Sequence, residues 1–125
     1  MKGIAFTFFA TGAAAVTIGM AWGIYMGIIH DHSLASAHAH LNLVGWVTFA
    51  LFGTYYHLTP SAASAQLAKI HYGMALIGAA LLVPGIALSI TSGNPGVAIA
   101  GSLITFASML VFLVTVFRHG FGAKA

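Results

Sequence analysis

The sequence predicts an all-α, integral membrane four-helix bundle, on three observations. Of its 125 residues, 60% are hydrophobic and only 4% are charged. An ordinary soluble domain carries about a quarter charged residues, so this chain cannot clothe itself in a solvated surface. Its mean hydropathy of +1.00 is gathered into four apolar runs, each close to the roughly 20 residues that a helix needs to cross a bilayer. The runs are parted by "HDHS", "LTPSAASAQ" and "TSGNPG", short segments rich in turn and helix-start residues. None is long enough for a second domain, so residues 1–125 form a single transmembrane unit.

The first helix is expected over about 3–29. Its opening, "MKGIAFTFFATGAAA", has the look of a secretion signal, but the apolar run exceeds the roughly 7–15 residues of a signal core. It is read as a retained span. Thr11, Ala15, Gly19, Gly23 and Gly27 recur along it every four residues. Such a stripe lets helices approach closely in lipid, where van der Waals contact drives association; it also makes room for something flat. The second helix is expected over 33–56, with Asp31 and Ser33 as caps. The third is expected over 68–90, with Pro84 as a kink, and the fourth over 97–117, after Asn94-Pro95-Gly96.

Charge supplies an orientation. Lys2, Lys69, Arg118 and Lys124 all fall at one end of such a bundle, and the loops of the other end have no Lys or Arg. The positive-inside rule then puts both termini in the cytoplasm of a bacterial inner membrane. The pI of 9.6 arises from these few groups, without the basic patch that nucleic-acid binding requires. With no cysteine, disulfides and thiolate metal sites are excluded.

The candidate chemistry lies in "HDHSLASAHAHLN". If the second helix starts near Ser33, His40 lies roughly 10 Å along its axis, a depth at which a polar side chain marks a functional site by default. His38 is rotated from His40 by about 200° on a helix, so the two imidazoles serve different neighbours. Each has an ordinary reading as a hydrogen-bonded packing histidine. His30 and His32 flank Asp31 as solvated loop residues or as ligands for copper or zinc, metals that imidazole suits, with the carboxylate orienting a ring. His57, His71 and His119 fall near the inner interface, where packing is the simpler reading and proton handling the functional one. Imidazole with no thiolate and one carboxylate excludes iron–sulfur clusters and hard cations. It suits heme b, whose ring wants apolar walls such as Leu41, Leu43, Val44, Trp46, Val47 and Phe49.

The stretch "AHLNLVGWVTFALFGTYYHLTP", residues 39–60, resembles the second transmembrane helix of the catalytic subunit of heme–copper oxidases, nitric oxide reductases above all. The matching residues are His40, Asn42, Gly53, Tyr55, Tyr56 and Pro60. The resemblance implies that His40 is an axial ligand of a low-spin heme b and that Asn42 belongs to the same site. The family's copper ligands have no counterparts here, so a complete heme–copper centre is not implied and enzymatic activity stays open. Three head-to-tail copies of a four-helix chain would imitate the family's roughly twelve-helix subunit as a closed cyclic trimer. In that assembly His38 of one copy is expected to point into the next.

The expected function is therefore a membrane b-type heme protein for electron transfer or diatomic-gas binding, forming a homo-oligomer. Two alternatives remain at this point: a copper or zinc carrier using His30, His32, His38 and His40, and a cofactor-free accessory subunit of a respiratory complex.

Overall fold

The computed structural model describes residues 1–124, and among them it contains helices and turns and no strand. The helices are α1 (Gly3–Ile29), α2 (Ala35–His40), a π-helical segment (Leu41–Thr48), α3 (Phe49–Leu58), α4 (Pro60–Ala63), α5 (Gln66–Ser92) and α6 (Gly96–His119). α1, α5 and α6 are each long and apolar enough to cross a membrane. α2, the π segment and α3 follow one another without a break as a rod over residues 35–58.

The helix limits differ from the expected ones for local reasons. The rod starts at Ala35 rather than 33, because the Ser33 N–H donates to Asp31 Oδ1 at 2.9 Å and closes a turn there. It ends at Leu58 rather than 56, and Pro60 opens α4, whose first position needs no N–H. α5 begins two residues early and runs on to Ser92. The hydroxyls of Thr91 and Ser92 donate to the carbonyls of Ala87 and Leu88 at 2.9 and 2.6 Å, so polar residues continue a helix that hydropathy would have ended. Gly93, at φ 74°, closes it in the left-handed region that glycine adopts freely. Pro84 lies within α5. α6 likewise extends to His119 and stops at Gly120.

The chain packs as two antiparallel pairs whose contacts are made by glycine. Along α1 and the rod, Gly23 faces His38, Gly19 faces Asn42, Gly12 faces Trp46 and Phe49, and Gly53 faces the backbone of Ala5 and Phe9. A Cβ on Gly53 would stand 2.8 Å from the Ala5 carbonyl oxygen. The stripe on α1 is thus largely used for helix packing, although Gly27 meets nothing within 4 Å. Along α5 and α6, Gly78 faces Thr105, Gly85 faces Ala98 and Gly101 faces Leu82, backbone against backbone. In lipid, close backbone approach of this kind replaces the hydrophobic drive as the source of association.

The two pairs join in an aromatic cluster near the end that carries both termini. Phe8 of α1 is fully buried there. Its ring meets those of Phe49, Phe52 and Tyr72 edge-on, at centroid distances of 5.6, 5.5 and 5.0 Å. Edge-to-face pairs in this range contribute about 0.5–1.5 kcal/mol beyond their burial. Outward, the surface is aliphatic and aromatic: Ile18, Ile28, Leu51, Leu103, Phe106 and Phe117 are all exposed, as suits lipid-facing helices.

Candidate functional site

At the far end, away from the termini, the two histidines of α2 diverge as their spacing requires. His38 turns inward, with Nε2 2.9 Å from the Gly19 carbonyl oxygen. A ring nitrogen facing a carbonyl carries the proton, so Nε2–H donates and Nδ1 is the lone-pair nitrogen of the neutral ring. The Asn42 amide nitrogen lies 3.4 Å from the same Nε2, a donor facing a donor, and Asn42 Oδ1 is buried without a protein partner. Trp22 closes edge-on over the imidazole at 5.9 Å. A Cβ on Gly23 would come within 3.0 Å of His38 Nε2, so that glycine makes the space for the ring. His38 therefore bonds the rod to α1 within its own chain.

His40 turns outward. Its Nδ1 lies 2.8 Å from the Ser36 carbonyl oxygen, one turn back, so Nδ1–H donates and Nε2 keeps its lone pair. The residue is half-buried, and Leu43 and Val47, further along the rod, are exposed. This is the tautomer and the anchoring that metal-ligating histidines use: one nitrogen held by a carbonyl, the other turned to the ligand.

The π segment begins at the next residue. Its widened turns are closed in part by the Thr48 hydroxyl, which donates to the Leu43 carbonyl five residues back at 3.0 Å. Stretches of π-helix are rare and occur frequently at functional sites. Between this segment, α1 and α5 lies an apolar cleft of about 260 Å³, lined by Thr11, Ala15, Leu41, Gly45, Leu76 and Pro84 among others. Leu41, a cleft wall, directly follows His40.

His30 and His32 are exposed. His30 sits at φ 52° as the residue that closes α1, its N–H bonded to the Met26 carbonyl. Asp31 is held below the ordinary carboxylate value chiefly by the Ser33 backbone N–H; its carboxylate fixes the turn rather than an imidazole. Among the described residues no three His, Asp or Glu side chains converge as a metal-binding group. His40 thus presents one anchored imidazole with a free ring nitrogen on the rod.

The terminal end holds the other three histidines. His57 is exposed and His119 half-buried, with Nδ1 of His119 3.3 Å from Ser61 Oγ. His71 is completely buried. Its Nδ1 lies 2.9 Å from the Tyr56 hydroxyl, and its ring is enclosed by Phe52, Phe8 and Phe112 at 4.4, 4.9 and 5.4 Å. Its Nε2 has no protein partner. A signal for this was present in the sequence: Ala68, His71, Ala75, Gly78, Leu82 and Gly85, the buried face of α5, alternate by three and four, and His71 occupies a core position in that series.

The sequence matches no family model, no curated protein and no solved structure.

Proposed function

We propose that this chain is a multi-pass membrane protein that binds heme b through His40 Nε2 and works as a homo-oligomer. The rod is a further span, second in chain order, and the lysines and arginine of the terminal end face the cytoplasm of a bacterial inner membrane. The observation that carries the reading is the His40–Ser36 bond of 2.8 Å: it fixes the ring and leaves a lone pair on Nε2 within an apolar stretch, where an uncommitted imidazole is otherwise costly.

In this reading each residue has a separate task. The Ser36 carbonyl holds His40 in the ligating tautomer. The exposed Leu43 and Val47, further along the rod, supply apolar wall. His38, bonded to Gly19, braces the rod so that His40 keeps its aim. Heme held there would supply redox-active iron, suited to one-electron exchange or to binding of a diatomic gas. A homo-oligomer would bring the His40 of a second copy into the same assembly.

The test is the absorption spectrum of the purified protein supplied with hemin. A Soret band is expected, lost in His40→Ala and retained in His38→Ala. Carbon monoxide added to the reduced protein separates the two uses: an unchanged spectrum means two axial side chains and electron transfer, a large shift means an open position. A protein that stays pale refutes the reading.

A further inference from the structure

A feature independent of heme lies at the terminal end, where the start of α1 passes the end of α3 and the short α4. An open groove of about 370 Å³ runs there, lined by Lys2, Ile4, His57, Pro60 and Ala63 among others. That size falls within the range of small-molecule sites. The lining is of two kinds. Lys2 and His57 are exposed polar residues, while the half-buried Ile4 and Ala63 and the exposed Pro60 supply aliphatic wall.

The chain has no acidic side chain to set against this end. Lys2, Lys69, Arg118 and Lys124 all lie at it, and Asp31 is the only Asp or Glu of the 125 residues. Lys2 precedes α1 and Asp31 lies just past its far end. A helix of 27 residues is roughly 40 Å long, several times the Debye length at physiological salt, so Asp31 does not neutralise Lys2. Neither α1 nor α4 has an acid in its first turn.

The place of the groove selects the anion. α1 is long and apolar enough to cross a membrane, and the groove stands at its first turn, where a span leaves the hydrocarbon. Basic pockets between spanning helices at that level suit anionic headgroups, and the aliphatic wall suits the carbons beneath a phosphate. We propose that the groove binds one anionic phospholipid, its phosphate held by Lys2 and His57 and its glycerol carbons against Ile4, Pro60 and Ala63. The lipid fastens the start of α1 to the corner between α3 and α4. This rests on the bundle lying in a bilayer and not on heme.

The test is native mass spectrometry of the protein released from nanodiscs that hold equal amounts of phosphatidylglycerol and phosphatidylcholine with the same acyl chains. One phosphatidylglycerol is expected to stay bound in preference to phosphatidylcholine. Lys2→Gln should lower that preference about fivefold, the effect of one cation near the membrane surface on an anionic lipid. His57→Ala should lower it as well. Lys124→Gln removes the same charge outside the groove and should leave the preference unchanged. All three residues are exposed, so the variants should keep the fold, which circular dichroism checks. Equal retention of the two lipids overturns the proposal. So does an equal loss in Lys2→Gln and Lys124→Gln, which marks a general attraction to the basic end. Displacement of the phosphatidylglycerol by inorganic phosphate overturns it too, since that marks a site for the free anion.

Discussion

Replacing Tyr56 by Phe removes one oxygen and no other heavy atom, so it isolates the bond to His71 from the packing around it. Both residues are buried, Tyr56 at 1% and His71 at 0% exposure, and the bond is 2.9 Å long. Its net contribution is about 1 kcal/mol, but loss of one partner strands the other, and a stranded buried group costs about 1–3 kcal/mol. His71 Nε2 already has no protein partner, so Tyr56→Phe would leave both ring nitrogens unsatisfied. A destabilisation of about 2 kcal/mol is expected, roughly a thirtyfold change in the unfolding constant. His71→Phe should be milder, because it removes one unsatisfied nitrogen while stranding one hydroxyl. The double variant substitutes two apolar groups for two polar ones and should return most of the loss, giving a coupling of about 1–2 kcal/mol. The assay is reversible unfolding in mixed micelles by sodium dodecyl sulfate titration, followed by far-ultraviolet circular dichroism and by the fluorescence of Trp22 and Trp46. A Tyr56→Phe variant within about 0.5 kcal/mol of the parent, or a double variant that is simply additive, would refute the argument.

Two glycines should respond oppositely to Ala in the same assay. A Cβ on Gly85 would lie 2.5 Å from the Ala98 amide nitrogen, against backbone that cannot rotate away, so Gly85→Ala should destabilise by about 1–3 kcal/mol. Gly27 meets nothing within 4 Å, and Gly27→Ala in the helix interior should stabilise by about 0.5–1 kcal/mol. The Asp31 turn should be acid-sensitive with a definite sign. Its pKa is lowered in the fold by the Ser33 N–H, so its contribution is present above the ordinary carboxylate value and is lost as pH falls through the lower folded value. The carboxyl carbon of Asp31 should titrate by NMR below the ordinary carboxylate value, and Asp31→Ala should release the Ser33 amide to exchange while Asp31→Asn holds it. The C-terminal strap, in which Tyr55 donates to the Gly120 carbonyl at 2.7 Å and the Gly122 N–H to Thr59 Oγ1 at 3.0 Å, should loosen in Tyr55→Phe. Tryptic cleavage after Arg118 should accelerate about fivefold, the equivalent of roughly 1 kcal/mol; an unchanged rate would mean the strap does not protect that bond.

Class and approximate helix positions were legible in the sequence because lipid imposes them one residue at a time. A chain with so few charges and such long apolar runs has no other stable form than helices whose backbone bonds close within each segment. The divergence of His38 and His40 was legible for the same reason, since rotation per residue is a local property. The π segment was not. Nothing in "LNLVGWVT" announces widened turns, which arise from the match between the rod and its neighbours. Nor could spacing say which histidine would meet Gly19 and which would stay uncommitted, because that depends on the rotation of α1 against the rod.

What the sequence by itself determined, then, is a helical membrane chain with imidazoles at both ends. Tertiary structure alone decided their states. It buried His71 against Tyr56 among the rings of Phe8, Phe52 and Phe112, engaged His38 through Nε2, and held His40 through Nδ1. The physical reason is that hydropathy is a sum over single residues, while a hydrogen bond is set by two groups that only packing brings together. Ser36 and His40 are four residues apart and their bond could be anticipated; Tyr56 and His71 lie on different helices, and their bond could not.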